Sequence, residues 1–414
     1  MQSATRARVR YHSSMSFPEV FVVGAARTAI GRYGGTLRDT HPAELGAAAA
    51  RAALARAGVA ADAIDEVLIG HGRQAGSGPN PGRQVVRRAG LPDSVPAQTI
   101  NQACASGLQA IALGAQAIQL GQSGLVLSGG IESMSRMPYL MDSEDARWGH
   151  KMGNFKLVDA MYRDGFFCPL SQLIMGQTAE VLARQYGITR EESDAFALAS
   201  QQKAEAAMSA GRFKDEITAA PGKDAKGKPV DLTVDEHPRA GATIESLRKL
   251  PLVFEPVDDK QGIITAGTSS GITDGGAAVV LASGTEVKAR SLTPLARIAG
   301  WSTTGVDPRI MGIGPVPAVR KLLDRTGLRL EDFDLVEINE AFAPQVLAVL
   351  KDLPIDPARV NVNGGAIALG HPIGATGARI VVTLLHEMVR RGAKRGLATL
   401  CVSGGLGMAM ALER

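Results

Sequence analysis

The chain has 414 residues, 45% of them hydrophobic and 21% charged, a balance that fits a globular protein of two or three domains. Its net charge of +4 is small for this length, so it does not argue for nucleic acid, though it suits an anionic small ligand. No run of about 18 apolar residues exists, which excludes a transmembrane helix, and three widely separated cysteines cannot build a disulfide framework and fit a reducing compartment.

Residues 1–16 differ from the rest, with Arg6, Arg8, Arg10, Ser3, Ser13 and Ser14 and no acidic residue before Glu19. They resemble a short transit peptide. The simpler expectation is a disordered tail, with Met15 as an alternative start, because the stretch is short and weakly amphipathic. Folded sequence begins at Glu19–Gly24, an apolar strand ending in glycine. A helix over 42–57 closed by Gly58, a strand over 66–69, a loop over 79–82 and a helix over 83–88 follow. Next comes a strand ending at Ile100. Leu108, Ile111, Ala112, Ala115 and Ile118 then recur at helical spacing as far as Gly121, and a strand spans 125–130. This alternation predicts parallel α/β layers.

The character changes over 131–262. Polar loops surround Trp148, His150 and Lys151, a helix over 188–212 opens with Thr189-Arg-Glu-Glu192, and a Gly/Lys/Pro-rich linker runs from Pro221 to Pro229. The α/β rhythm resumes at Ile263.

The second half repeats the first. Residues 51–70 align without gaps on 320–339, at an offset of 320 − 51 = 269. Arg51/Arg320, Leu54/Leu323, Arg56/Arg325, Gly58/Gly327, Asp65/Asp334, Val67/Val336 and Ile69/Ile338 are identical. Ser128-Gly-Gly130 likewise recurs as Ser403-Gly-Gly405, which runs directly into a strand. In the first half the corresponding strand, 277–281, comes only after 131–262, so that stretch reads as an insertion.

Chemistry concentrates at the turns that open two helices. Cys104, in Asn101-Gln-Ala-Cys104-Ala-Ser-Gly107, follows a strand and precedes a helix. Free N–H groups and the helix dipole there favour a thiolate and could stabilise an oxyanion. A small buried cysteine is the bland alternative. The offset places the counterpart of Cys104 at 373, within Asn363-Gly-Gly-Ala-Ile-Ala-Leu-Gly-His371-Pro-Ile-Gly-Ala-Thr-Gly377, ahead of a helix over 378–391. Two repeats about a pseudo-twofold axis would set Cys104 against His371 as nucleophile and base. Cys401, after a strand over 397–400, and Asn339, after Val336-Glu-Ile338, reach the same end of the sheet. A metal site is the rival, but no carboxylate or second histidine completes a ligand set. Cys168, in Phe-Phe-Cys-Pro, has no such setting and is expected only to pack.

Six motifs together resemble the thiolases: Asn-Gln-Ala-Cys104-Ala-Ser-Gly, Gly-Gly-Ile-Glu-Ser-Met-Ser135, Thr-Ala-Gly-Thr-Ser-Ser270-Gly, Asn-Glu-Ala-Phe342, Gly-His371-Pro and Cys401-Val-Ser-Gly-Gly. The resemblance covers roughly residues 18–414. It implies a duplicated five-layer α/β/α/β/α fold with a loop domain inserted in the first repeat. The divisions would be a tail over 1–16, an N-terminal repeat over 17–131 plus 263–290, an inserted domain over 132–262 and a C-terminal repeat over 291–414.

The activity so implied is acyl transfer to coenzyme A, cleaving 3-ketoacyl-CoA or condensing acyl-CoA units through an acyl-cysteine, as in fatty acid metabolism. Cys104 would carry the acyl group and His371 would activate it, joining an oxyanion hole with a water held by Asn339. Cys401 would move the α-proton. A second oxyanion hole would use the N–H groups of Cys104 and Ser403, beside Gly404; the family often has glycine at the Ser403 position. Coenzyme A would lie on the inserted domain, near Arg239, Ser246 and Ser270, with Met175 and Phe254 along the pantetheine and Ala266 and Phe342 close by. It would be a substrate, and no metal or redox cofactor is implied.

Ile174-Met175-Gly176 replaces the His-Met-Gly common in short-chain members, and Thr268-Ser269-Ser270 replaces Asn-Ala-Ser. Both lean toward a longer or bulkier acyl chain. The resemblance also implies a homo-oligomer, dimer or tetramer, without nucleic acid or membrane. It would be cytoplasmic, or in the mitochondrial matrix if residues 1–16 are a transit peptide. Two rivals stand beside this reading. A decarboxylating condensing enzyme would usually pair its cysteine with two histidines, and only His371 has the setting. A catalytically silent thiolase-like binding protein would not need Cys104, Asn339, His371 and Cys401 together.

Overall fold

The structure, a computed structural model, describes residues 17–414; the tail considered above lies outside them. The first half builds β1 (Val20–Thr28), α1 (Pro42–Ala57), β2 (Glu66–His71), α2 (Pro81–Ala89), β3 (Ala97–Ile100), α3 (Ser106–Gln119) and β4 (Leu125–Ser133). Helix α1 shows the local logic. His41 accepts the Ala43 N–H, Pro42 occupies the first turn, and Gly58 closes the helix at φ +64°.

The stretch that follows holds α4 (Met175–Tyr186) and α5 (Arg190–Ser209), the latter opened by the reciprocal Thr189/Glu192 capping box. The supposed linker at 221–229 is instead a β-hairpin, β5 (Ala220–Lys223) with β6 (Pro229–Leu232). Its turn forms because Asp224 Oδ1 accepts the N–H groups of Lys226 and Lys228, with Gly227 at positive φ. Its composition signalled a turn between strands rather than a free linker.

The chain then returns through β7 (Thr273–Ser283) and enters the second half. There it forms β8 (Ala296–Gly305), α6 (Pro315–Thr326), β9 (Leu335–Ile338), α7 (Ala343–Asp352), α8 (Ile373–Arg391), β10 (Arg395–Val402) and β11 (Leu406–Glu413).

These strands form one sheet with the main path β9-β10-β11-β8-β1-β7-β4-β2-β3. Outward from the centre, the first half reads β1-β7-β4-β2-β3 and the second β8-β11-β10-β9. In each, two antiparallel pairings precede parallel ones. Val67 pairs with Ala97 on β3, and its counterpart Val336 bridges Val360 in parallel at the equivalent edge. The half-sheets join where β1 meets β8, through Phe21/Arg297 and Val22/Ala296. Helices α1 and α2 cover the outer face of the first half-sheet and α6 that of the second, with α3 and α8 between. The fold is the duplicated α/β/α/β/α arrangement.

The central layer fixes the site. Helix α8 is buried along nearly its whole length, as a helix between two sheets must be. It starts at Ile373, five residues earlier than the sequence suggested, because Gly374 lets its first turn press against the ends of β2 and β4 and Gly377 against α3. A Cβ on Gly107 would come within 2.8 Å of the Ala378 nitrogen, and one on Gly377 within 2.4 Å of the Leu108 nitrogen. Only glycine allows that crossing, and it brings the two helix-opening turns together. Among the described residues no helix is long and apolar enough to cross a membrane.

Candidate active site

Cys104 stands in a single 3-10 turn between β3 and α3. The residue before it, Ala103, has φ +45°, a left-handed conformation that costs a side-chain-bearing residue roughly 1–2 kcal/mol. Neighbours hold it there. Asn101 Oδ1 accepts the Ala103 N–H at 2.9 Å, while the Ser106 hydroxyl donates to Ala103 O at 2.6 Å and accepts the Gln102 N–H at 3.0 Å. The polar residues of the Asn101–Gly107 motif thus shape the turn that presents the thiol.

His371 lies in the segment entering α8, its N–H donating to Gly271 O at 3.0 Å. The Thr376 hydroxyl donates to Pro372 O at 3.0 Å, so at 2.6 Å it accepts from Nδ1–H of His371. That fixes the tautomer and leaves Nε2 as a free base. Asn339 Nδ2 approaches Nε2 at 3.5 Å, and its own Oδ1 is buried with no hydrogen bond to protein. Burial, then the charges of Arg379 and Arg73, push the His371 imidazole down to about 3.

The thiols do not follow the sequence expectation of easy ionisation. Burial raises Cys104 above its ordinary value; Arg73 and the N–H groups of Ser403 and Cys104 oppose it without prevailing. Helix-terminal N–H groups favour a thiolate, but desolvation of the buried sulfur is the larger effect. Cys401, near the end of strand β10 rather than beyond it, is pushed far up, first by burial and then by the neighbouring Cys104. The resting site holds two thiols and a neutral imidazole.

One cavity of about 800 Å³ takes in Cys104, His371, Cys401 and Ser403. Met175, Phe254, Ala266, Ser270 and Phe342 line it as well, with Arg239 exposed at its rim. The Phe254 and Phe342 rings meet edge to face at 6.2 Å. Asn339 stands behind His371 rather than in the wall. Gly404 adjoins Ser403 outside the lining. Ser246 is not brought to the cavity: it is exposed, and its hydroxyl donates to Thr243 O in the cap of a short helix.

Sequence reasoning missed three contributors. Thr376 orients His371. The buried Glu340 carboxylate ties Ser200 of the inserted stretch (2.6 Å) to Asn361 (2.8 Å) and to the Ile367 N–H (3.1 Å), bracing the segment that carries His371. Arg73 lines the cavity beside Cys104. Cys168 is buried and lies outside the cavity lining. Burial works against its ionisation, but the Ser171 hydroxyl and the N–H groups of Ser171, Leu170 and Gly404 outweigh it and bring the thiol below its ordinary value. Glu340 and Thr376 sat inside quoted motifs, whereas Arg73 had no signal beyond one charge in a glycine-rich loop.

Comparison with known proteins agrees with this geometry. The thiolase N-terminal domain pattern matches residues 20–285 and the thiolase C-terminal domain pattern residues 292–414. The chain belongs to the thiolase family. It is 54% identical to an acetyl-CoA acetyltransferase of Pseudomonas aeruginosa over 96% of this chain and 99% of that one. The crystal structure of the Bacillus anthracis acetyl-CoA acetyltransferase superposes with a TM-score of 0.92, at 46% identity over 97% of this chain and all of the other. Human mitochondrial 3-ketoacyl-CoA thiolase in complex with CoA does so with a TM-score of 0.90, at 46% identity over 96% and 98% of the two chains. Neither rival reading finds support in these thiolase likenesses.

Proposed function

We propose that the protein is an acetyl-CoA C-acyltransferase that cleaves 3-ketoacyl-CoA with coenzyme A, or runs the condensation in reverse. The observation that carries this is the meeting of Cys104, His371 and Cys401 in one cavity at the crossing of α3 and α8. In the cleavage direction the Cys104 sulfur attacks the 3-keto carbon as its proton passes to His371 Nε2, whose orientation the Thr376 contact supports. The bond between C2 and C3 breaks, and Cys401, held as a neutral thiol by burial, gives its proton to the departing acetyl-CoA carbanion. Once acetyl-CoA has left, coenzyme A attacks the acyl-Cys104 thioester while Cys401 takes the proton of its thiol, and the Cys104 sulfur departs, recovering its proton from His371. Asn339 holds a water toward the first oxyanion, a role that its free buried Oδ1 suits. The N–H groups of Cys104 and Ser403, with Gly404 shaping the loop, serve the second.

Coenzyme A enters as substrate, and acyl transfer of this kind requires neither metal nor redox cofactor. Its pantetheine runs past Met175, Phe254 and Phe342 with Ala266 and Ser270 alongside, and Arg239 at the rim meets phosphate; Ser246 acts at most through the surface around Arg239. Ile174 in the cavity wall favours a longer or bulkier acyl chain. The chain divides into repeats 17–131 plus 263–290 and 291–414, with 132–262 inserted. It assembles as a dimer or tetramer, a reading supported by the exposed Trp148, Met152, Phe155 and Leu157 on one loop. Three free cysteines suit a cytoplasmic setting. The test is thiolysis of acetoacetyl-CoA and longer 3-ketoacyl-CoA esters; acyl transfer should require CoA, and its absence for every ester would overturn the reading.

A further inference from the structure

The cavity contains a charge that the reaction as written does not use. Arg73 is 7% exposed and lines the wall near Cys104. Its backbone N–H donates to Glu132, but its guanidinium has no carboxylate within 4.0 Å among the described residues. Glu132 accepts the Gly374 N–H at 2.9 Å, and its Oε1 lies 3.0 Å from His71 Nε2. Of the five guanidinium donors, one is engaged with protein: Nη2–H, to Gly165 O at 2.6 Å. Nε is buried with no partner and Nη1 makes no hydrogen bond. A buried cation without a counter-charge is costly enough that proteins seldom keep one idle.

The tether shows which way the group serves. Gly165 belongs to the single π-helical turn Tyr162–Phe166 in the inserted stretch, and a Cβ there would sit 2.9 Å from Arg73 Nε. The guanidinium is therefore clasped by the wall formed with Tyr162 and Phe166, not by the catalytic turns. The sulfur of Cys104 already has the N–H groups of Ser403 and its own residue. Met134 and Ile174 add apolar surface to the same cavity, suited to methylenes.

We infer that Arg73 receives a carboxylate at the far end of the acyl chain, so that the preferred substrate is a 3-ketoacyl-CoA that is also a carboxylic acid. A planar guanidinium fork matches the two oxygens of a carboxylate, and the pair neutralises both charges within the cavity. Cleavage then joins the sulfur of CoA to the 3-keto carbon and releases acetyl-CoA, leaving the CoA ester of a dicarboxylic acid two carbons shorter. Arg73 selects the substrate, while Cys104, His371 and Cys401 perform the chemistry. This rests on the thiolase reading above.

The test compares kcat/KM for 3-oxoadipyl-CoA and 3-oxohexanoyl-CoA, of equal carbon count, in the parent and in Arg73→Leu. The parent should favour the carboxylated ester about tenfold or more, and the ratio should fall on the order of 10- to 100-fold in the variant, as loss of a charged hydrogen bond requires. Arg73→Lys should fall between them. Using the ratio cancels any effect of Arg73 on Cys104 that both esters share. A parent that prefers the methyl-ended ester, or a ratio unmoved by Arg73→Leu, overturns the inference. The parent's preference decides the matter even if the variant fails to fold. No cleavage of any 3-ketoacyl-CoA, acetoacetyl-CoA included, would bring down the thiolase reading and this assignment with it.

Discussion

His371 Nδ1 lies 2.6 Å from the Thr376 hydroxyl, five residues on, and that hydroxyl is itself committed to Pro372 O. The first turn of α8 therefore sets the tautomer of the base at its own entrance. Thr376→Val should orphan a buried N–H, at about 1–3 kcal/mol, and lower kcat on the order of 10- to 100-fold. Thr376→Ser should recover most of it. Equal rates in Val and parent enzymes would show that Nδ1 needs no such partner.

The protonation states make a second prediction. Cys104 is raised by burial and His371 is lowered to about 3, so thiol and imidazole are both neutral at rest. Alkylation of Cys104 by iodoacetamide should then climb between about pH 6 and 8, close to tenfold per unit, since the thiolate fraction grows that way below the thiol pKa. No inflection from His371 should interrupt it. A preformed thiolate–imidazolium pair would give a plateau in that range. Brief exposure to acyl-CoA, followed by mass spectrometry, should place the acyl group on Cys104 and leave Cys168 bare.

Cys401→Ala separates the two halves of the reaction. The acyl-enzyme should still form, because Cys104 and His371 remain, while Claisen turnover falls by roughly 10²- to 10⁴-fold with loss of the proton carrier. Parent-like turnover of acetoacetyl-CoA would make Cys401 a packing residue, in keeping with its contacts to Met311 and Ala341.

Chain-length preference should reside at Ile174, which lines the cavity next to Met175, while the catalytic turns handle only atoms shared by all substrates. Each buried methylene is worth about 0.8 kcal/mol, roughly fourfold per carbon. The ratio of thiolysis efficiencies for six-carbon over four-carbon methyl-ended esters should fall in Ile174→His while acylation of Cys104 persists. An unchanged ratio would move the selectivity elsewhere.

Much of this was legible in the chain. The offset of 269 that pairs Arg51 with Arg320 also pairs the start of β2, Glu66, with the start of β9, Leu335. Periodicity and Gly58 marked α1 to the residue, because caps and glycines act locally. The ionisation of Cys104 was misread because a motif reveals the N–H groups near a sulfur but not how deeply the sulfur is enclosed. Arg73 was passed over for a related reason: its meaning lies in lacking a counter-charge, a fact about neighbours from Glu132 to Gly165 that no single segment contains. The start of α8 was placed late because glycines weaken a helix by propensity, and only the crossing with α3 shows why they are tolerated there.

The offset that relates the halves also maps Cys104 onto Ile373 and His371 onto Gln102. Cys104 and Ile373 face the same cavity. Identical halves with the first half's sequence would carry Cys104 twice and lack His371; with the second half's, His371 and Cys401 would each recur and Cys104 would be missing. The chemistry therefore depends on the two halves differing at these positions. With both halves in one chain, the first carries the nucleophile Cys104 while the second carries the base His371.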